Sequence, residues 1–444
     1  MRLATDVQLA AAARARKRAV PHPIRLRSVA LAALRSSVGA AQTNRVRLRT
    51  SGSPLAAVLI ALAWLVTAPA ALAQDTCPWC KDDPDLMSAA GIVSHGPIPI
   101  GPPAADGGPG SSAIAALPGG PWIFLETAHL RWASSLGETK VDQDDRERVD
   151  AELDRLRAVL PGLPKKPRKL DPWLRLHLLA MRGEELYARF QTLLAVTDAD
   201  FPERRSAEGP YMGDGRFLGE RDKFEVVLHS MRDAHKQFTS GFTGVQVTDS
   251  LREHVRPAHK MLVSVPAEDA DLRGDRGLFP HVAHNLSHMF LCAYKHFSYD
   301  PPIWLDEGLA HALEKEIDPR STTTDGEEGA IPDVKGPKDW WDAARKLAAS
   351  GKAANFAQLL HAKSFSDLDL ERQVAAWSRV RFLLDEHPTQ FAAFLGGVKG
   401  QLDAQGYPSG SDLPELQRRL LKELFDWTPA DFDTAWTAWA QSAR

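Results

Sequence analysis

Apolar positions at helical spacing are clearest in residues 142–161, DQDDRERVDAELDRLRAVLP, where Val149, Leu153, Leu156 and Leu160 share one face. Acids fill the first turn and Pro161 closes the run, so the pattern predicts an amphipathic helix. A second helix is expected from Asp171-Pro172 to about Leu194, with Asp as cap and Pro in the first helical position. Ahead of these, WIFLETAHLRWASS has the apolar and aromatic content of a strand or hairpin arm. KFEVVLHSMRDAHKQF reads as a strand turning into a helix, and KMLVSVP as a further short strand. Residues 339–444 carry amphipathic stripes and are expected to be mostly helical. Near their end Trp436 and Trp439 fall on one helix face, which predicts packing rather than a binding platform. No internal repeat is present. The predicted class is α+β: a small mixed sheet preceding a mostly helical body.

Composition adds compartment and partner class. Hydrophobic content of 44% and charged content of 25% suit a globular core. Residues 1–50 hold eleven Lys/Arg against one acid, Asp6, while the remainder holds 43 bases and 56 acids. That acidic remainder argues against a nucleic-acid partner. Between Thr50 and Gln74 there is no charge, with an apolar stretch from Leu55 to Val66 and Ala71-Leu72-Ala73 behind it. Basic, apolar and small residues in that order predict a secretory signal over residues 51–73, cleaved after Ala73; a retained membrane anchor is the alternative. The chain then divides into a basic extension (1–50), the signal or anchor (51–73), a Cys-Pro-Trp-Cys segment with a linker (74–121) and one folded domain (122–444).

Cys77 and Cys80 bracket that motif, and Cys292 is the third cysteine. Closely spaced thiols suit either a redox pair or a small disulfide loop. No strand–helix context surrounds them, Lys81 rather than His follows, and no second cysteine pair completes a four-cysteine zinc site. The disulfide loop is the expectation. From His95 to Pro121 the chain is rich in Pro and Gly and reads as linker or irregular coil, with the folded body beginning near Trp122.

The candidate chemistry lies in HNLSH, residues 284–288, and WLDEGLA, residues 304–310. Residues four apart on a helix stack on one face, so His284 and His288 aim two imidazoles at one point. Zinc is held from a helix in this way, and a catalytic zinc has three protein ligands plus water. Two prolines break the chain after the first helix. Glu307 then falls in the first turn of the next, nineteen positions after His288. The site is therefore expected between two helices.

These two motifs resemble those of the gluzincin metallopeptidases, the thermolysin and M1-aminopeptidase group, and especially their small exported bacterial relatives with a peptidase-MA-like domain. The resemblance implies zinc on His284, His288 and Glu307. It also exposes a departure, because the residue after the first His is the family's general base and here it is Asn285. An amide orients water but does not accept its proton at neutral pH. The resemblance with this departure implies an exported, zinc-binding but hydrolytically inactive domain that binds a peptide or protein in its cleft. The alternative is an active hydrolase with a substitute base. His311, one turn after Glu307, is the candidate for that base, for substrate contact or for steadying Glu307; otherwise it is a surface or capping residue. Asp306 is expected to face away from the metal, Glu314 to lie too far from it unless its helix runs across the cleft, and Cys292 to be a core residue. His281 would close a four-ligand site only across a strained reach of two turns.

Overall fold

The computed structural model describes residues 76–205, 209–325, 329–331 and 336–442. The basic extension and the expected signal or anchor lie outside these residues. Among the described residues no helix is long and apolar enough to cross a membrane. The architecture is α+β, as predicted. Helices α1 (Pro84–Ala89) and α2 (Gly110–Ala115) precede the hairpin β1 (Ile123–Glu126) and β2 (Leu130–Ser134). Then come α3 (Arg146–Val159), α4 (Pro172–Leu194), β3 (Phe224–His229), α5 (Arg232–Thr243), β4 (Leu251–Val255) and β5 (Lys260–Pro266). The metal-motif helices follow as α6 (Asp275–Ala293) and α7 (Ile303–Ile317), trailed by a two-residue ladder, β6 (Thr324–Asp325) with β7 (Ala330–Ile331). Helices α8 (Trp340–Ser350), α9 (Leu370–Glu386), α10 (Pro388–Val398), α11 (Leu413–Phe425) and α12 (Pro429–Ser442) complete the body.

The five-stranded sheet has the order β1-β2-β3-β5-β4. β1/β2 and β5/β4 pair antiparallel, whereas β2/β3 and β3/β5 pair parallel, with Leu130 opposite Phe224 and Phe224 opposite Met261. Alternation along the strands sorts two cores, because successive side chains point to opposite faces. Trp132, Phe224, Val226 and Val263 join the main core. Phe124, Ala133, Val227 and Leu262 join a smaller one with Phe238 of α5.

That smaller core decides for irregular coil rather than linker in residues 95–121, and it puts the start of the folded body before Trp122. Ile98, Ile100 and Ile114 are buried in it beside Trp122, so the Pro/Gly-rich stretch packs onto the sheet as part of the fold. Its isoleucines supply enough apolar surface to offset the cost of ordering an irregular backbone.

The other predicted elements fall where expected. Asp171 caps α4 by accepting a hydrogen bond from Leu174 N at 3.1 Å. Trp436 is buried, donates to Ser378 Oγ at 3.1 Å and lies under Arg379, while Trp439 packs on Trp341 and Phe382. Helix α7 crosses α9 so closely that a Cβ on Gly308 would stand 2.9 Å from the Ala376 carbonyl oxygen. Glycine in WLDEGLA is thus set by helix packing.

A charged clamp joins the β1–β2 turn to α4. His129 Nδ1 lies 2.6 Å from Glu184 and its Nε2 lies 2.9 Å from Asp198. Burial opposes charging His129, but the two carboxylates outweigh it and raise the imidazole above its usual value of 6.5. A raised folded value means that this stabilisation is complete below the unfolded value and is lost as pH rises through the folded one. The contribution of this clamp should therefore decline from about pH 6.5 upward. His129→Gln should flatten that decline in denaturant titrations at successive pH values. An unchanged slope would show that the clamp contributes nothing.

Candidate metal centre

Helix α6 carries HNLSH and α7 carries WLDEGLA, packed against each other beneath the β4–β5 end of the sheet. Helical spacing places His284 and His288 on one face, and their Nε2 atoms come within 3.1 Å. His288 Nε2 lies 3.4 Å from Glu307 Oε2. The structure thus brings together the three residues singled out by the sequence. It adds a fourth: Asp325, 3.4 Å from His288 Nε2 and 3.8 Å from His284 Nε2. One ligand atom from each of the four lies within 4.8 Å of every other.

Around this set stands a ring of supporting groups. His288 is held between adjacent carboxylates, with Asp306 2.9 Å from Nδ1 and Glu307 beside Nε2. Asp306 therefore does not face away, as helix geometry alone had suggested; α7 approaches so closely that two successive side chains straddle one ring. Glu314 is also nearer than expected, 3.6 Å from His284 Nδ1 and 3.0 Å from His311 Nδ1. Glu307 meets His288 and Glu314 meets His284, so contacts run backward along α6 as they run forward along α7. His311 is fully buried, with Nε2 3.3 Å from Glu307 Oε1, and is not a surface or capping residue. His281 turns away to Ser250 Oγ at 2.7 Å and Thr323 Oγ1 at 3.0 Å and joins no ligand group. Cys292, half-buried, joins none either.

Asn285 has a defined partner. Its Oδ1 accepts from Arg252 Nη1 at 3.1 Å, and its Nδ2 donates to the His281 carbonyl at 2.8 Å. The same Arg252 guanidinium grips Asp325 with both terminal nitrogens, Nη1 at 2.8 Å from Oδ1 and Nη2 on Oδ2. Arg252 projects from edge strand β4. Asp325 reaches it because the chain beyond α7 is tied down at two points. Thr323 donates twice to Glu314 Oε1, at 2.9 and 2.7 Å, and Ala330 pairs with Ser250 just before β4. Neither Arg252 nor Asp325 carried a sequence signal. LREHV lacks strand alternation, and TTTDG reads only as a polar turn.

No protein-family model matches this chain. No curated protein matches it significantly either. The functional reading therefore rests on the site itself.

The residues suit a divalent cation. Two imidazole nitrogens on tetrahedral zinc stand about 3.3 Å apart, given Zn–N near 2.0–2.1 Å, close to the His284–His288 separation of 3.1 Å. Both Glu307 oxygens are buried without a hydrogen bond, an arrangement that is costly unless a cation or proton-bearing ring compensates it. In the metal-free protein the rings do so. Burial opposes charging His284, but Asp325 and Glu314 outweigh it and push the imidazole up to about 10. Burial and Asp325 oppose ionising Glu307, but His288 and His311 hold it down at about 2. A metal would take the place of those protons. The cluster is also enclosed. His284, Asn285, His288 and Glu307 are at most 2% exposed. A cavity of about 350 Å³ touches His281 and Glu314, but its lining includes none of those four residues.

Proposed function

We propose that this chain is a gluzincin-like, zinc-holding domain from which peptide hydrolysis has been lost, and that its metal site ties two helices to the edge of the sheet. The observation that carries this reading is the bridge Asn285–Arg252–Asp325. At the general-base position stands an amide already committed to Arg252. Where a catalytic zinc would have three protein ligands and a water, a fourth candidate ligand, the Asp325 carboxylate, faces the histidines. A closed set of four protein ligands is the arrangement of structural zinc, and His284, His288, Glu307 and Asp325 would form it. Bound there, zinc would supply cohesion, and its Lewis acidity would meet no substrate through the described surface. His311 is a poor substitute base, since Glu314 occupies its Nδ1, Glu307 stands 3.3 Å from its Nε2 and solvent does not reach it.

Peptide hydrolysis by the metal-loaded native protein is the decisive assay. No turnover is expected. Loss of a positioned base alone accounts for about 10²–10⁴ in rate, so if Asn285 were the sole defect, Asn285→Glu should restore that factor. We expect it to stay silent, because Arg252 would pair with the new carboxylate and Asp325 would still close the cluster. Native cleavage that disappears in His284→Ala would overturn the reading.

A further inference from the structure

A second group of metal-ligand side chains lies in the segment that the metallopeptidase-like motifs do not touch. Cys77, Cys80, His95 and His177 are buried, and one ligand atom from each lies within 4.8 Å of every other. We propose that these four residues bind a structural zinc ion that fastens the N-terminal segment to α4.

Several local features converge to build this site. Lys81 and Asp82 adopt positive φ values of 54° and 55°, curling the chain so that Lys81 N donates to Cys77 O and Asp83 N to Cys80 O, both at 2.9 Å. That knuckle turns both sulfurs inward. His177 comes from α4, and the Trp79 indole, between the two cysteines, donates at 3.3 Å to Asp171, the residue that caps α4. His95 is placed by its neighbour Ser94, which pairs with Glu126 of β1. Cys77 Sγ is 3.2 Å from His177 Nε2, and Cys80 Sγ is 3.5 Å from His95 Nε2. Sulfur and nitrogen ligands on one tetrahedral zinc stand about 3.5 Å apart, given bonds near 2.3 and 2.0–2.1 Å.

The far edge of His95 supplies independent support. Its Nδ1 lies 2.6 Å from Asp82 Oδ1, so a proton on Nδ1 leaves the Nε2 lone pair aimed at the sulfurs. A carboxylate behind a ligating histidine commonly fixes its tautomer in this way.

The two readings weighed from sequence fit less well. Both thiols are free, and a disulfide gives no reason for two histidines from distant segments to converge on it. Redox-active cysteines are partly exposed, whereas these two have no exposed surface. The spacing of two residues between the cysteines is that of a zinc knuckle whose second half is supplied by His95 and His177. Binding releases the thiol protons to solvent and leaves two thiolates on the metal.

Cobalt substitution of the full-length chain tests this, because only a site with thiolate ligands gives sulfur-to-cobalt charge transfer in the near ultraviolet. The native protein reconstituted with Co²⁺ should show that band. Cys80→Ser should lose it together with one equivalent of metal per chain. His288→Ala should keep it, since no sulfur joins the other cluster. His95→Cys, which preserves four ligands, should retain both band and metal, and it keeps the test open if Cys80→Ser does not fold. A native spectrum without the band, an intact mass showing a Cys77–Cys80 disulfide in metal-replete protein, or an unchanged metal count in folded Cys80→Ser would overturn the proposal. None of these readouts depends on whether the His284–Glu307 cluster holds zinc.

Discussion

Replacing Arg252 with Ala should destabilise the chain by about 3–5 kcal/mol, the usual cost of removing one partner from a buried ion pair. Arg252 is the cation that lets Asp325 stay ionised within reach of Glu307. Burial alone would raise the Asp325 carboxyl, yet the guanidinium holds it well below the usual carboxylate range. Without Arg252, two carboxylates would face each other beside the histidines, and Asn285 Oδ1 would lose its donor. The removed side chain is only 17% exposed, so water cannot fully replace it. Denaturant unfolding of metal-free protein should show a lower midpoint with unchanged slope, since the same surface is exposed on unfolding. The double change Arg252→Ala/Asp325→Ala should cost clearly less than the sum of the two single changes, because the orphaned charge is then removed. Additive single effects would mean that the pair is energetically independent and that the bridge does not organise the site.

His288→Ala should have a comparable effect through a different route. The imidazole stands between Asp306 and Glu307 and next to Asp325, so its removal leaves three buried carboxylates short of a partner. A loss of about 3–5 kcal/mol is expected in metal-free protein on the same grounds. The metal count should fall by one equivalent, because only His284 then remains on α6 to hold the ion with Glu307 and Asp325. Chelator should lower the unfolding midpoint of the native protein, and this increment should shrink in the variant. A variant that keeps its full metal content would exclude His288 as a ligand.

The periodic parts of the chain were legible before any coordinates. Val149, Leu153 and Leu156 form the buried stripe of α3 because a 3.6-residue period leaves a visible mark. Strand β4 was not legible. It is short, lies at a sheet edge and places Arg252, Glu253 and His254 in succession, so tertiary pairing with β5 overrides weak local preference. Residues 95–121 are legible only in part: their Pro and Gly content leaves linker and irregular coil open, and three isoleucines spaced without a period along them fill a core.

By itself, the sequence determined what a single helix can encode. Four-residue spacing puts His284 and His288 on one face, a proline break and a helix start place Glu307 near them, and Asn285 follows the first histidine whatever the fold. Only the tertiary structure decided what closes around those residues. Arg252 lies 33 positions from Asn285 and 73 from Asp325, and His177 lies 100 from Cys77. Such distances leave no periodic trace, because loops and packed elements set them rather than the pitch of any one helix. The sheet edge brings Arg252 to Asn285 of α6, the tied chain beyond α7 brings Asp325 to the same guanidinium, and the contact of Trp79 with the cap of α4 brings His177 to the cysteine knuckle.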